Sequence, residues 1–280
     1  MRNILNKYCF QLWSKYCLTS FSVVSTILLF VPNIPEDKQY IKFIIGGFFV
    51  VILFISYFLI YWYEIKTKRI KLVINNTEVN VLFGDIFKIS GKKVIAFNEY
   101  FDTQVDDLII AKKSLNGQAI INGAINKEKF DQLVQNNINL IKTDIDQDRK
   151  VGKQQRYELG QIQPYEDFFA LAFSHFDSDN KAYLCSNDYA NCLLAMWKQL
   201  NKFYSQNVVN IPLLGSGITR ILDNCEASNQ ELLEIMLETL KISKMTFKEP
   251  SKINIVLYPG EKNENFHKYD FIRIKYIFRR

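Results

Sequence analysis

From Phe43 to Tyr63 the chain reads FIIGGFFVVILFISYFLIYWY, with no charged side chain. A helix rises about 1.5 Å per residue, so roughly twenty such positions cross a hydrocarbon core about 30 Å thick. Tyr61, Trp62 and Tyr63 close the run as an interfacial aromatic belt does. The stretch predicts a membrane-spanning helix over 43–63. A second, shorter segment precedes it, from Cys17 to Val31, with Thr19, Ser20, Ser22, Ser25 and Thr26 inside it. Hydroxyls bond back to helix carbonyls and are tolerated in lipid, and Pro32 and Pro35 then end the segment. Arg2, Lys7 and Lys15 give it a basic start like that of a signal peptide. No small-x-small cleavage site follows, however, and the next apolar run comes about a dozen residues on. The expectation is a transmembrane hairpin, with spans at about 17–31 and 43–63.

Charge sets its orientation. The connecting loop holds Glu36, Asp37, Lys38 and Lys42 and has no net charge. The outer flanks are basic, with Arg2, Lys7 and Lys15 on one side and Lys66, Lys68, Arg69 and Lys71 on the other. The positive-inside bias puts both flanks, and both termini, on the cytoplasmic face of the cell membrane. The sequon Asn75-Asn76-Thr77 then never meets a glycosylating enzyme. Gly46 and Gly47 either allow close helix approach or are ordinary membrane-helix glycines.

Outside these runs the composition is that of a globular domain, and 280 residues leave room for one of good size after a 1–71 anchor. The net charge of +6 gathers near the apolar runs, so a lipid surface accounts for it without nucleic acid. Arg273, Lys275, Tyr276, Phe278, Arg279 and Arg280 imitate a nucleic-acid strip, but no binding motif accompanies them. Cys9, Cys17, Cys185, Cys192 and Cys225 show no CxxC spacing, and His175 and His267 are the only imidazoles. Neither a metal site nor a cofactor is expected, and the thiols read as reduced and cytoplasmic.

The soluble part, 72–280, alternates strands and helices. Val79–Phe83, Lys93–Phe97, Asp167–Phe173, Val208–Leu214 and Ile253–Leu257 are near-continuous apolar runs, and Ala119–Ile121 is a further candidate strand. Helical spacing marks Glu128–Ile141 and Asp188–Tyr204, and Ser228-x-x-Glu231 is a capping box opening another helix. Residues 142–160 read as a polar loop. Strands apolar on both faces imply a parallel or mixed sheet covered on both sides, an α/β layered fold.

In such sheets ligands bind beyond the strands' carboxyl ends. Three ends carry suitable chemistry. Gly84-Asp85-Ile86 follows Val79–Phe83, and its carboxylate can accept from an exocyclic amine such as that of adenine. Asn98 follows Lys93–Phe97, with an amide suited to ribose hydroxyls. Leu214-Gly215-Ser216-Gly217-Ile218 ends the fourth run, where absent side chains expose backbone N–H groups to a diphosphate. Glu99, Asp102, Asp106 and Asp107 read as a solvated acidic face.

These three segments resemble the macro-domain family of ADP-ribose-binding modules. The matching stretches are Leu82-Phe83-Gly84-Asp85-Ile86, Val94-Ile95-Ala96-Phe97-Asn98 and Ile211-Pro212-Leu213-Leu214-Gly215-Ser216-Gly217-Ile218. The resemblance implies a three-layer α/β/α macro-like fold over 72–280. It also implies Asp85 on the adenine, Gly215 to Ile218 around the diphosphate, Asn98 near the distal ribose and Tyr258 beside the adenine. Hydrolytic members carry an Asn-Ala-Ala-Asn stretch and a glycine-rich loop. Here the corresponding run is Phe97-Asn98-Glu99-Tyr100-Phe101-Asp102-Thr103, with no glycines after it. No catalytic residues are therefore expected, and binding is favoured over turnover.

Together with the spans, Asn98 to Thr103 and Ser114-Leu115-Asn116-Gly117-Gln118 are similar to the membrane-anchored macro effectors of type II Thoeris anti-phage systems. That similarity implies a partner TIR-domain protein that makes a histidine–ADP-ribose messenger. The effector binds it, assembles as a homo-oligomer and damages the membrane, with Asn98, Phe101, Thr103 and Gln118 at the non-adenine end of the ligand. The competing expectations are a membrane-tethered ADP-ribosyl hydrolase and an interaction module with a vestigial cleft.

Overall fold

The computed structural model describes residues 7–29, 40–177, 179–217, 220–221, 227–260, 265 and 268–278. The chain divides into two compact units, one of Met1–Lys68 with Asp270–Arg280 and one of Arg69–Tyr269.

The first unit opens with α1 (Lys7–Leu29) and α2 (Tyr40–Ile65). The hydroxyls of α1 bond back to its own carbonyls, Thr19 Oγ1 to Lys15 O at 2.9 Å and Ser22 Oγ to Thr19 O at 2.8 Å. The two helices meet through Trp13 Nε1, which donates to Ser56 Oγ at 3.0 Å, and through a buried contact of Cys9 with Tyr57. The helix already runs through Lys7–Tyr16, ahead of the expected segment, and these contacts lie in and beside that part. Among the described residues only Gly46–Tyr63 in α2 is long and apolar enough to cross a membrane. No such window falls in α1, where Lys7, Gln11 and Lys15 precede the expected first span and hydroxyls run through it; Val31 and the residue before it, the end of that span, lie outside the described residues. Side chains along α2, such as Phe48 and Phe54, are left uncovered by protein. The inter-span loop, with Pro32 and Pro35, lies outside the described residues.

The second unit begins with β1 (Arg69–Ile74), whose Arg69 and Lys71 the sequence assigns to a basic flank. Its basic residues alternate outward while Ile70, Leu72 and Ile74 are buried. Asn75 and Asn76 take positive φ in a tight turn into β2 (Thr77–Phe83). The Asn75 amide donates to Leu240 O at 2.8 Å. There follow β3 (Lys92–Asn98), α3 (Leu115–Ile121), α4 (Lys127–Asn136), β4 (Lys142–Ile145), β5 (Gln155–Tyr157), β6 (Ile162–Tyr165), β7 (Phe168–Phe176) and β8 (Ala182–Leu184). Next come α5 (Ser186–Phe203), β9 (Val209–Pro212), β10 (Arg220–Ile221), α6 (Asn229–Ser243) and β11 (Lys252–Leu257).

Among the described residues the sheet runs β1-β2-β11-β9-β3-β7-β8-β10, with β6 also on β7. Strands β2, β11, β9, β3 and β7 are mutually parallel. Strand β7 shows the layering: Ala170 and Ala172 join a cluster with Phe97, Ala119 and Phe130 on the α3/α4 face, while Phe173 meets Tyr189 of α5 at 5.9 Å. On the α5/α6 side Trp197 Nε1 donates to Thr239 Oγ1 at 3.1 Å. This is the expected mixed sheet in an α/β/α arrangement.

A buried asparagine ladder fixes the central register. Asn80 donates to Asn254 at 3.1 Å, Asn254 to Asn210 at 2.8 Å, and Asn210 to the carbonyls of Ser90 and Lys92. The three asparagines occupy paired positions on β2, β11 and β9, so a register slip would leave buried amides unbonded.

Several local expectations are corrected. Ala119–Ile121 is the end of helix α3, which Ser114 caps through Gly117 N, and not a strand. Helix α4 stops at Asn136 because Asn137 is extended. Residues 142–160 hold the β4–β5 hairpin and not a plain loop. Helix α6 keeps its capping box, with both Ser228 and Glu231 bonds present.

The chain ends in α7 (Phe271–Phe278), which belongs with α1 and α2 and not with the 72–280 domain. Ile272 packs against Cys9 and Tyr57, and Tyr276 meets Tyr8 at 5.4 Å. Ile272 and Tyr276 thus line a helix-packing face within the segment that imitated a nucleic-acid strip, and Arg279 and Arg280 lie outside the described residues.

Candidate functional site

Four neighbouring parallel strands, β2, β11, β9 and β3, bring their carboxyl ends to one edge of the sheet. In that order they present Asp85, Tyr258, the Gly215–Gly217 turn and Asn98.

At the β2 end Gly84 N donates to Leu257 O at 3.0 Å and ties the turn to β11. Asp85 caps a single 3-10 turn, Ile86–Lys88, by accepting from Phe87 N at 3.0 Å, and Lys88 Nζ lies 3.6 Å from its other oxygen. The carboxylate remains partly exposed, while Ile86 is buried beneath it. Tyr258 leaves β11 with its ring 63% exposed. After β9, the Tyr189 hydroxyl donates to the Leu214 carbonyl at 3.0 Å, and Ser216 Oγ donates to Leu213 O at 2.7 Å. Gly215 has φ +83°, where a Cβ is strained. Ser216 and Gly217 are exposed, and Ile218 lies outside the described residues.

The β3 end is built differently. The Asn98 amide is consumed locally: Oδ1 accepts from Tyr100 N and Asp102 N at 3.1 Å each, and Nδ2 donates to Asp102 at 2.8 Å. Phe101 is fully buried at 0% exposure, its ring among Phe97, Phe130 and Tyr157, so it does not reach the cleft. Thr103 is also buried and donates to Asp131 at 2.9 Å. Gln118 donates to Lys113 O at 2.8 Å. At this end of the row the Asn98 amide is bonded within its own loop, Phe101 and Thr103 are buried, and Gln118 is bonded to the turn before α3.

The acidic residues after Asn98 do not form one solvated face. Asp106 and Asp107 are outward, capping backbone N–H groups and pairing with Lys112. Glu99 and Asp102 are buried among cations supplied by the β4–β5 hairpin and its loop. Asp102 is 2% exposed and meets Arg149, 7% exposed, at 2.8 Å, and Lys153 N donates to its other oxygen at 2.8 Å. The Arg149 guanidinium stacks 3.8 Å from the centre of the Tyr100 ring. Lys153 Nζ reaches Asp131 at 2.6 Å and the Phe101 carbonyl. Burial lowers the Lys153 pKa despite these acceptors. Arg156 donates to the Tyr100 hydroxyl at 2.7 Å and to Asp146 at 2.7 Å. Burial pushes the Tyr100 phenol up to about 12. The hairpin therefore clamps the 98–103 segment in place.

His175, at the end of β7, completes this cluster and was missed from sequence because Glu99 lies far from it in the chain. Its Nδ1 is 2.7 Å from Glu99 Oε2, and its Nε2 is 3.9 Å from Asp188 Oδ2. The Glu99 hydrogen bond raises the His175 pKa, burial opposes it, and the charges of Glu99 and Asp188 add to the rise. A folded pKa above the unfolded value of about 6.5 gives stability that is complete below pH 6.5 and lost as pH rises through the folded value. The melting temperature should decline over that window, and His175→Gln should remove this decline. An unchanged slope in His175→Gln would discount the Glu99–His175 pair as its source.

A separate groove of about 620 Å³ lies among Leu140, Gln161, Gln163, Gln199 and Phe203, away from the carboxyl edge.

This edge, on a mixed sheet between helical layers, is what a macro domain presents. The family described as "Thoeris protein ThsA, Macro domain" matches residues 79–258. A Thoeris protein ThsA of Bacillus amyloliquefaciens (strain Y2) is 39% identical over 274 residues, covering 95% of this chain and 91% of that protein. Two solved mutants of the Oceanobacillus iheyensis macrodomain align with a TM-score of 0.46 each, at 13% and 15% identity. They cover 76% and 75% of this chain and 99% and 94% of their own. The chain belongs to the Thoeris ThsA macro-domain family.

Proposed function

We propose that the chain is a membrane-bound effector of anti-phage defence that binds an ADP-ribose-derived messenger of the histidine–ADP-ribose type, made by a partner TIR protein. Binding drives homo-oligomerisation, and the helices of the first unit then disrupt the membrane. Membership of the Thoeris ThsA family supports the defence role and an ADP-ribose-type ligand. The observation that carries the site is the row of Asp85, Tyr258 and Gly215–Gly217 on adjacent strand ends. Asp85 accepts from the adenine amine, Tyr258 flanks the base, and the backbone from Leu214 to Ile218 receives the diphosphate. Helices α1 and α2 cross the membrane as a hairpin with both termini cytoplasmic, supported by the apolar run in α2 and the basic flanks. No cofactor or metal takes part. The internal bonding of Asn98 favours binding over hydrolysis, since its amide is committed to its own loop.

The test is calorimetric titration of the full chain in detergent with ADP-ribose, its amino-acid conjugates and NAD. Wild-type protein should bind ADP-ribose or a conjugate. Asp85→Ala should weaken binding by about tenfold or more, the worth of a hydrogen bond to a charged group. Equal binding by wild type and Asp85→Ala would remove the adenine assignment. Release of free ADP-ribose from a conjugate would instead establish a hydrolase.

A further inference from the structure

The carboxyl edge of the sheet does not end at β3. Strand β7 lies beside β3 and runs parallel to it, so its end at Phe176 continues the row on the side away from Asp85. Three hydrogen bonds tie that continuation to the candidate site. Glu99, the residue after Asn98, accepts from Phe176 N at 3.3 Å on its carboxylate and donates its own N–H to Ser174 O at 2.9 Å. The first turn of α5 is fastened to the start of the Gly215 turn, because the Tyr189 hydroxyl donates to Leu214 O at 3.0 Å. Asp188 precedes Tyr189 on that first turn, beside His175 of β7.

The two carboxylates of this corner are unequally matched. The Glu99 side chain is 5% exposed and faces both His175 Nδ1 at 2.7 Å and Arg156 Nε at 3.7 Å. The Asp188 side chain is 45% exposed, and the Cys185 thiol donates to its Oδ2 at 2.8 Å. His175 Nε2 stays beyond hydrogen-bond reach of that oxygen at 3.9 Å. Among the described residues no lysine or arginine pairs with Asp188. An ionised carboxylate accepts through two oxygens and about four lone-pair sites, so Asp188 has capacity for a further donor.

We propose that Asp188 binds a positively charged amino group on the part of the ligand that extends past its distal ribose. This rests on the ligand-binding reading above. Adenine at Asp85 and the diphosphate at the Gly215 turn send the rest of the molecule along the row, across the end of β3 and toward β7. A substituent on the distal ribose then arrives at Asp188, with His175 held behind it by Glu99 as a positioning residue. An ammonium group fits this place because it brings the cation that Asp188 lacks, and its charge-assisted N–H···O bonds are short and strong. The contact sets specificity: ADP-ribose ends at the ribose and leaves Asp188 to water, whereas an amino-acid conjugate reaches it. It also supplies a contact at the non-adenine end, where Phe101 and Thr103 are buried.

Three probes test this by calorimetric titration of the full chain in detergent: ADP-ribose, histidine–ADP-ribose, and the same conjugate with its amine acetylated. Wild-type protein should bind histidine–ADP-ribose about tenfold or more tighter than ADP-ribose, the worth of a hydrogen bond to a charged group. Acetylation removes the positive charge and should cancel that preference. Asp188→Asn should cancel it as well, whereas Asp85→Ala should weaken both ligands and keep their ratio. A melting curve shows whether Asp188→Asn is folded, and the acetylated probe makes the same comparison on wild-type protein if it is not. Binding of histidine–ADP-ribose no tighter than that of ADP-ribose overturns the inference and leaves the adenine and diphosphate assignments standing. A preference that survives acetylation, or survives Asp188→Asn in folded protein, does the same. If wild-type protein binds none of the three probes, the ligand reading itself fails and this inference falls with it.

Discussion

Gly217→Glu is expected to weaken binding of an ADP-ribose-type ligand by about a hundredfold or more while leaving thermal unfolding unchanged. No atom of the described residues lies within 4 Å of a Cβ built on Gly217, so the fold has room for a side chain there. The new carboxylate would face the diphosphate that the turn is proposed to hold. Like charges brought together in a binding site cost several kcal/mol, and about 2.8 kcal/mol already corresponds to a hundredfold. Calorimetry beside a melting curve separates the two effects. Retained binding would place the diphosphate elsewhere, and a lowered melting temperature would show that the turn packs more tightly than its open surroundings indicate. Gly215 is the wrong position for this experiment, because its φ of +83° makes any substitution a test of backbone strain as well.

The second large effect is on stability. Asp102→Ala should destabilise the sheet unit by about 3–5 kcal/mol, because it leaves the buried Arg149 guanidinium without its carboxylate. The loss also strips a partner from Asn98 Nδ2 and from Lys153 N, so the clamp on the 98–103 segment opens together with the ion pair. For a unit of this size the melting temperature should fall by roughly 6–20 °C. A shift under about 2 °C, as for an exposed ion pair, would mean that the pair is solvated and the clamp is not structural. Asp102→Asn, which keeps an acceptor for Lys153 N but not the charge, should fall between wild type and Asp102→Ala.

These experiments address features that differ in how openly the sequence displayed them. The apolar run in α2 was legible because twenty uncharged residues have few other uses. The strands β2, β3, β7, β9 and β11 were legible for a related reason: burial on both faces writes itself as continuous apolar sequence. Gly84-Asp85 and the Gly215–Gly217 turn announced themselves as strand ends by the residues that follow an apolar run. The strand β1 was harder, since Arg69 and Lys71 served equally well as a basic flank until their alternation with buried Ile70 and Leu72 was seen.

The sequence by itself determined which segments are apolar, where strands stop and which family's pattern they fit, because those properties depend on neighbours along the chain. Only the tertiary structure decided what the polar residues do. Asn80, Asn210 and Asn254 are unremarkable in three separate strands, yet in register they bond one another across the core. Glu99 and Asp102 looked like surface carboxylates until Arg149, Arg156, Lys153 and His175 closed over them from distant parts of the chain. The segment after Tyr269 looked like the end of a soluble domain, and its apolar face belongs instead on α1 and α2. The physical reason is common to all three. A polar or amphipathic residue has no fixed preference until its partner is present, and here the partners lie beyond the reach of local sequence.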